Sequence, residues 1–354
     1  MPIFRGSGGV KSKTFFLTVL FCALALLLGT AGVVAWVDPM LTGGLEEGET
    51  ALFVNERYEM AGLIRHQDYE DIVMGTSLVA NYRASWFTRG TGRETLKITF
   101  PDGRLSEFDI ALDLAFRTHD KINTVYFCLD PNVLIRKDKG VELPEYLYND
   151  DPLDDLQLYF NGECLALAVK SLLLGDRAKA PLDEAFVWDG KYEFSWDSAL
   201  GSYVRPEKAD KPLDGGAYLP EAQKNMDVVC SWVEKHPDTQ FKIWFPPYSI
   251  LYWDKAQREG TTEAILSALE YACGRLVRYG NVGVYSYLND RWTATDLGQY
   301  ADYIHCSSQV TSALAQGMVN DAWRIWPEYY QSQMDELRQY VTSYDYDAMF
   351  EDKS

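Results

Sequence analysis

Asp71-Ile72-Val73-Met74-Gly75, at positions 71–75, is a short apolar run with the composition of a buried β-strand. Four further β-rich runs follow it along the chain, at 95–100, 123–129, 240–245 and 282–287. Helical patterns lie between them, at 104–118, 219–235 and 261–279. Apolar strands that alternate with helices are typical of a parallel sheet covered on both faces. The sequence therefore predicts an α/β fold, a three-layer α/β/α sandwich around a mostly parallel sheet of five strands.

The N-terminal region contains an uncharged, apolar segment at 14–36. A helix that crosses a bilayer needs about 20 such residues. Arg5, Lys11 and Lys13 precede the segment and Asp38 follows it, so the positive-inside rule places the N-terminus in the cytoplasm and the rest of the chain outside. A cleaved signal peptide is the alternative, because small residues stand near the end of the segment. Its length favours a retained anchor.

The patterns predict five regions in the chain. About a hundred residues separate the third and fourth predicted strands, which is more than one crossover needs. This stretch is rich in acidic and aromatic residues around a helical pattern at 154–174, so it is interpreted as an insertion over one edge of the sheet, either a lid or a structural elaboration. The regions are a cytoplasmic basic tail (1–13), a transmembrane signal anchor (14–36), a membrane-proximal arm (37–65), the α/β domain (66–330, with the insertion at 135–218), and a C-terminal helix with an acidic tail (331–354).

Composition excludes several classes of function. The net charge of −19 opposes binding to nucleic acid, whose phosphates need a basic surface. The six cysteines show neither a CxxC pair nor a zinc spacing, so no metal site and no dense disulfide framework is expected. No phosphate-binding loop and no dinucleotide fingerprint is present, and no cofactor is expected.

Gly75-Thr76-Ser77 comes directly after the first predicted strand. In open α/β sheets, sites form beyond the carboxyl ends of the strands. Gly75 permits a tight turn, and Ser77 would begin the next helix with its own N–H turned toward a developing oxyanion. The same position also suits a serine that only caps the helix.

Asp302 and His305 follow the last predicted strand, before a helix that begins near Ser308. Positions three apart share a face on one helical turn, so the Asp302 carboxylate can reach the His305 imidazole. A serine becomes a nucleophile when an imidazole takes its proton and a carboxylate orients that imidazole. We therefore expect Ser77, His305 and Asp302 to be the catalytic residues. The other histidines stand in charged, surface-like surroundings: His66, His119 and His236.

These motifs give the chain a resemblance to a known family. Over roughly residues 66–325 it resembles the SGNH/GDSL hydrolase superfamily, in particular its membrane-anchored bacterial branch of DltD-like and alginate O-acetyltransferase-like proteins. The resemblance rests on the anchor, on the blocks 75–77 and 302–305, and on Phe-Pro-Pro-Tyr-Ser at 245–249. It implies an SGNH/flavodoxin-like fold and an acyl-enzyme mechanism, in which Ser77 attacks an ester carbonyl and His305 carries the proton.

The oxyanion hole departs from the family pattern. The first block has Thr76 where the family often has Asp, and the family's Gly-x-Asn-Asp block is absent. At the corresponding strand end stand Asp130 and Asn132, of which an ionised Asp130 cannot donate a hydrogen bond. The resemblance also implies a second-block glycine that donates its N–H, and Gly103 after the second predicted strand takes that place. The expected oxyanion donors are the N–H groups of Ser77 and Gly103 and the side chain of Asn132. The loss of one such donor costs about 10²–10³ in rate.

The resemblance also implies a location, a substrate and a partner. It places the protein in a bacterial cell membrane as a single-pass protein whose C-terminal domain is extracytoplasmic. The implied reaction is hydrolysis or transfer of O-acyl groups on a cell-envelope glycan or teichoic polymer, and the implied partner is a membrane-bound O-acyltransferase. Two alternatives stay open. One is a non-catalytic SGNH-like protein that binds or hands over an acyl carrier, and the other is a structural ectodomain.

Four aromatic residues follow the fourth predicted strand, near the expected edge of the site. Aromatic rings stack on sugar faces, so these residues are candidates for a substrate rim; the alternative is that they pack the structure around it. The four are Trp244, Tyr248, Tyr252 and Trp253.

Overall fold

A mixed sheet of six strands forms the centre of the protein, which a computed structural model describes over residues 8–351. The start of the predicted basic tail (1–7) and the end of the acidic tail (352–354) lie outside the described residues. The spatial order of the sheet is β3-β2-β4-β6-β7-β8, and β1 pairs with β5 in a separate antiparallel ladder. The strands are β1 (Thr50–Ala51), β2 (Asp71–Gly75), β3 (Thr95–Thr99), β4 (Thr124–Cys128), β5 (Ala180–Pro181), β6 (Gln240–Phe245), β7 (Val282–Ser286) and β8 (Arg324–Ile325).

The predicted α/β class is confirmed, and the predicted sheet is incomplete by one strand. The five predicted runs form β2, β3, β4, β6 and β7, which are parallel to one another. The sixth strand, β8, pairs antiparallel with β7. Sequence could not indicate it, because two residues are too few for a pattern of alternation.

Helices connect the strands. The helical pattern predicted at 154–174 is interrupted at residues 160–161, so it gives two helices instead of one. The helices are α1 (Gly8–Val37), α2 (Glu56–His66), α3 (Ser77–Ala80), α4 (Ala84–Thr91), α5 (Leu105–Thr118), α6 (Pro131–Ile135), α7 (Leu156–Tyr159), α8 (Gly162–Leu174), α9 (Trp196–Ser202), α10 (Leu219–Lys235), α11 (Ile250–Arg258), α12 (Thr262–Leu276), α13 (Arg291–Thr295), α14 (Ser308–Val319), α15 (Tyr330–Ser343) and α16 (Ala348–Glu351).

Helices cover both faces of the sheet. The strand register places Lys97 and Lys242 on one face. On that face Lys97 Nζ donates to two carbonyls of the α3–α4 segment, and Lys242 Nζ donates to the Met318 carbonyl of α14. Side chains alternate along a strand, and Phe127 on the opposite face packs edge-on against Trp232 of α10. The strands are therefore covered on both sides, as their sequences predicted.

One helix of the described residues is long and apolar enough to cross a membrane. It is α1, whose apolar part extends over Ser12–Val37 and includes the predicted anchor. The next helix, α2, contacts α5 and buries Met60 and Leu63, although it lies mostly within the predicted arm. The α15 helix likewise packs against α12. The boundaries of the predicted regions stay predictions, and the packed core begins before residue 66.

The topology defines where a site can form. Numbered along the chain, the five parallel strands have the spatial order 2-1-3-4-5. Connections leave in opposite directions from the adjacent strands β2 and β4, so a crevice forms beyond the carboxyl ends of these two strands. Ser77 directly follows β2 and Asp130 follows β4.

Candidate active site

The turn that carries Ser77 is fixed to three strands. A Cβ atom on Gly75 would lie 2.5 Å from Val79 Cγ2 and 2.8 Å from the Cys128 side chain, so glycine is required by close packing. Thr99 on β3 donates a hydrogen bond of 3.0 Å to the carbonyl of Thr76. These contacts leave Ser77 as the first residue of α3, half-buried at the edge of the sheet.

A continuous hydrogen-bond chain joins the three predicted catalytic residues. Ser77 Oγ lies 2.9 Å from His305 Nε2, and His305 Nδ1 lies 2.7 Å from Asp302 Oδ2. When Nδ1 donates its proton to Asp302, Nε2 is left to accept the hydroxyl proton of Ser77. The expected proximity of the three side chains is confirmed. We name this group the Ser–His–Asp chain.

The 302–305 segment is a tight loop and not the helical turn that was predicted. Its ends are joined by a hydrogen bond from the Ala301 N–H to the His305 carbonyl and by an antiparallel bridge between Tyr300 and Cys306. Inside the loop, Asp302 Oδ1 accepts from the backbone N–H groups of Ile304 and His305, each at 2.8 Å. One carboxylate oxygen therefore holds the loop while the other orients the imidazole.

This loop is held by the end of β6. Ser249 Oγ donates to the Tyr303 carbonyl at 2.6 Å, and the Tyr300 hydroxyl donates to the Pro247 carbonyl at 3.1 Å. The block 245–249, which the sequence associated with the site only by resemblance, thus supports the loop that carries His305. These contacts bring residues near the C-terminal end of the chain across the sheet to Ser77.

The electrostatics of the Ser–His–Asp chain favour an ionised Asp302. Burial raises the pKa of its carboxyl, but the hydrogen bond and charge of His305 and the two backbone donors together hold that pKa below its ordinary value. The thiol of Cys306, the neighbour of His305, has a pKa shifted in the opposite direction. Burial raises this pKa to about 12, so the thiol stays protonated at neutral pH and is a poor nucleophile.

Two of the three expected oxyanion donors are engaged elsewhere. The N–H of Gly103 donates to the Phe100 carbonyl at 2.7 Å, so it closes a turn and the prediction for Gly103 is wrong. Asn132 donates from Nδ2 to the Tyr248 hydroxyl at 3.0 Å. Ser77 begins α3, where a backbone N–H has no acceptor within the helix. Its N–H is therefore free of a helical partner, and its role as an oxyanion donor stays a prediction.

Asp130 is the centre of a buried polar group next to the nucleophile turn. Its carboxylate accepts hydrogen bonds from the Tyr248 hydroxyl, from the Asn132 N–H at 2.7 Å and from Thr76 Oγ1 at 3.3 Å. Burial raises the pKa of Asp130 above its ordinary value, although these bonds oppose the shift. We name Asp130, Asn132 and Tyr248 the Asp130 cluster. Through Thr76 it ties the end of β4 to the turn before Ser77.

The predicted aromatic rim is wrong. All four side chains are buried, with exposed fractions between 0% and 5%, so a substrate in solution cannot stack on them. They occupy β6, the connection after it and the beginning of α11, where they are part of the core. These residues are Trp244, Tyr248, Tyr252 and Trp253.

The insertion contributes a residue that the sequence did not indicate. The ring of Trp188 lies edge-on to the imidazole of His305, with centroids 5.1 Å apart and planes at 89°. Buried Asn81 holds this segment, because its Oδ1 accepts from the N–H groups of Trp188 and Asp189, each at 3.0 Å. Trp188 is more than a hundred residues from His305 along the chain, so no rule based on sequence spacing could predict their contact. Asn81 comes four residues after Ser77, about one helical turn, so the sequence could have indicated that it lies near the site.

No family model matches the chain, and no curated protein matches it. The chemistry of the site is therefore inferred from its own geometry. The Ser–His–Asp chain joins a half-exposed hydroxyl to a base and to an ionised carboxylate, which is the arrangement that activates a serine toward an acyl carbonyl.

Proposed function

We propose that the protein is an extracytoplasmic, membrane-anchored serine acyltransferase or esterase of the SGNH type. Its substrates would be O-acyl groups of a cell-envelope glycan or teichoic polymer. The observation that carries the proposal is the 2.9 Å contact between Ser77 Oγ and His305 Nε2, with Asp302 behind the ring. The 2-1-3-4-5 strand order, with Ser77 at the point where that order reverses, supports the SGNH/flavodoxin-like assignment.

The proposed reaction proceeds in two steps. Ser77 Oγ attacks the ester carbonyl carbon while its proton moves to His305 Nε2, and the Ser77 N–H stabilises the oxyanion. The imidazolium, held by Asp302, then protonates the departing alcohol and leaves an acyl-enzyme. Attack by water releases the acid, whereas attack by a sugar or polyol hydroxyl forms a new ester. His305 takes the proton of either acceptor.

The location follows from the charges around α1. Lys13 lies at the beginning of its apolar part and Asp38 follows it, so the positive-inside rule supports a location of the α/β domain outside the cytoplasm. An extracytoplasmic acyltransferase has no access to cytoplasmic acyl donors. We therefore include a membrane-bound O-acyltransferase in the proposal, as the partner that delivers the acyl group across the bilayer.

One observation favours a second candidate function. The Gly103 N–H and one of the two N–H groups of the Asn132 amide have partners within the protein, so fewer donors are left for an oxyanion than the resemblance implies. A site of this kind would bind or hand over an acyl carrier without efficient turnover. The two candidates differ in whether Ser77 forms an acyl ester.

Ester turnover tests the proposal. The full-length protein in detergent is incubated with p-nitrophenyl acetate, alone and with glycerol as a hydroxyl acceptor. We expect release of p-nitrophenol that Ser77→Ala reduces by about 10⁴-fold or more. Ser332→Ala is the matched control, because Ser332 is exposed on α15 and bonds only the Tyr329 carbonyl.

The products separate the alternatives. Acetylglycerol identifies a transferase, and acetate alone identifies an esterase. Equal rates for wild type and Ser77→Ala would refute the proposal. A stable acetyl-Ser77 without turnover would support the hand-over function.

A further inference from the structure

The insertion presents an apolar surface beside the proposed membrane span. Helices α7 and α8 both contact α1. Within α1, residues 12–29 are exposed, and the residues shielded by the rest of the protein all lie within 30–37, with Val34 fully buried. The contact with α7 and α8 therefore falls at the end of the span that enters the folded domain.

The outward face of α8 is mostly apolar over its C-terminal half, whereas exposed Glu163 lies at its N-terminal end and exposed Asp151 lies in the preceding flank. The inward face packs through buried Cys164 and Ala168, whereas Leu173 on the outside is 81% exposed. A surface helix of a soluble domain normally places polar residues outward. We name the exposed apolar side chains here the α8 surface: Leu153, Leu156, Phe160, Val169, Leu172, Leu173 and Leu174.

Another helix of the same domain shows the ordinary pattern. The α10 helix is also one-sided in its packing, with Met226 and Val229 buried. Its exposed positions carry polar and charged side chains: Gln223, Lys224, Asp227, Glu234 and Lys235. Both helices belong to one chain, so overall composition does not explain the apolar surface of α8. Its environment must differ from that of α10.

The length of α1 places α8 at the bilayer surface. The apolar part of α1 has 26 residues, whereas a hydrocarbon core of about 30 Å needs about 20. If the core begins near Lys13, about 20 residues extend to about residue 33. The last turn, including exposed Trp36, then lies in the interface, where tryptophan is favoured. Trp36 and Leu172 line one cavity of about 600 Å³, so the C-terminal part of α8 lies beside the end of the span.

We propose that the α8 surface is a second membrane contact, inserted among the lipids of the leaflet from which α1 emerges. Interfacial helices bury their apolar face about 5–10 Å into the boundary of headgroups and acyl chains. Lys170, exposed on the same helix, can extend its amine to the headgroups. This inference rests on the proposed membrane span. The same insertion reaches His305 through Trp188, so the contact restrains the insertion both at the bilayer and at the site.

Lipid-borne quenchers test the contact directly. Full-length protein with Cys22→Ser is labelled with a fluorophore at one introduced cysteine and reconstituted in phosphatidylcholine vesicles. The introduced changes are Leu173→Cys on the α8 surface, Phe21→Cys in the span and Val204→Cys as the matched control. All three positions are highly exposed, so none should prevent folding, and Val204 at 86% is apolar but lies outside the α8 surface. Unsubstituted Cys22→Ser protein measures labelling of the remaining cysteines.

The expected result is a difference in depth. A nitroxide near the lipid headgroup should quench the label at position 173 more than one near the acyl-chain end, and the order should reverse at position 21. The label at position 204 should respond to neither. Quenching at position 21 but not at 173 would overturn the membrane contact and leave the span intact. No quenching at position 21 would instead refute the span. Protection of position 173 from lipid and aqueous quenchers alike would mean that protein covers it, a second copy included, and would also overturn the contact.

Discussion

The Ser–His–Asp chain and the Asp130 cluster lie at the same edge of the sheet and use their hydrogen bonds differently. In the first, His305 and Asp302 side chains are 18% and 32% exposed, and the bonds lead to a half-exposed hydroxyl. In the second, buried Asp130 receives three donors from within the protein. The first therefore retains a group that can react, whereas the second is satisfied internally and acts as a scaffold. A polar residue after a strand indicates the edge of the sheet but not a role in chemistry.

The largest difference between the two groups is expected when an aspartate in each is replaced by asparagine. Asp302→Asn should reduce ester turnover by about 10⁴-fold, because the amide no longer fixes the reactive tautomer of His305. Asp130→Asn should cause a much smaller loss of turnover and a loss of stability, since an amide replaces an acceptor of three hydrogen bonds. Turnover and urea unfolding in detergent are measured for both variants. Equal losses of turnover would remove the distinction between the two groups.

The buried aromatic residues, like the Asp130 cluster, are expected to contribute to stability and not to the reaction. Trp253 is fully buried, so Trp253→Ala should lower the free energy of unfolding by about 3–5 kcal/mol. Trp253→Phe should cost less, because it leaves a smaller cavity and removes an indole N–H that has no partner. Urea unfolding followed by fluorescence measures both variants. A weaker affinity for glycan with unchanged stability would restore the predicted rim.

Tyr248→Phe tests the Asp130 cluster at one bond. The change removes a donor to buried Asp130 and an acceptor for Asn132, at little change in volume. We expect a loss of about 1–3 kcal/mol in the free energy of unfolding. Asn132, released from Tyr248, becomes available as an oxyanion donor, so turnover should not fall in proportion to stability. A large loss of turnover at full stability would assign Tyr248 to the reaction.

A pH-dependent effect is expected from Lys97, which supports α3 from inside the sheet. Its Nζ donates to the carbonyls of Ala80 and Tyr82, and burial lowers its pKa to about 7. The unfolded chain, with a lysine pKa of about 10.4, binds more protons than the folded protein between these values. Stability from this group should rise with pH from about 7 to about 10, by at most about 1.4 kcal/mol per pH unit. The difference between wild type and Lys97→Met isolates this contribution, and a difference that falls or stays constant over that range would contradict it.

Much of the fold could be predicted because its strands are buried on both faces. Continuous apolar runs such as 71–75 do not depend on distant partners, so local sequence indicates them. The two-residue strands, by contrast, form only because a neighbouring strand is there to hydrogen-bond with them, so local sequence does not indicate them. The break between α7 and α8 falls at Asn161-Gly162, a turn dipeptide that the expectation of one continuous helix overlooked.

The candidate site could be predicted where its residues are tied to strand ends. Ser77 and His305 fall at the carboxyl edge by topology, and Asp302 by its spacing from His305. The oxyanion donors could not be predicted, because whether the Gly103 N–H is free depends on a turn at Phe100. Trp188 reaches His305 from the insertion, and only tertiary packing defines that contact.

Covalent labelling of Ser77 tests the central claim most directly. A fluorophosphonate reacts with a serine only when a base takes the hydroxyl proton. Intact mass of the full-length protein should show one adduct, peptide mapping should place it on Ser77, and Ser77→Ala should abolish it. Asp302→Asn should slow it strongly, whereas Asp130→Asn should not. No adduct on the wild-type protein, or the same adduct on Ser77→Ala, would contradict the account.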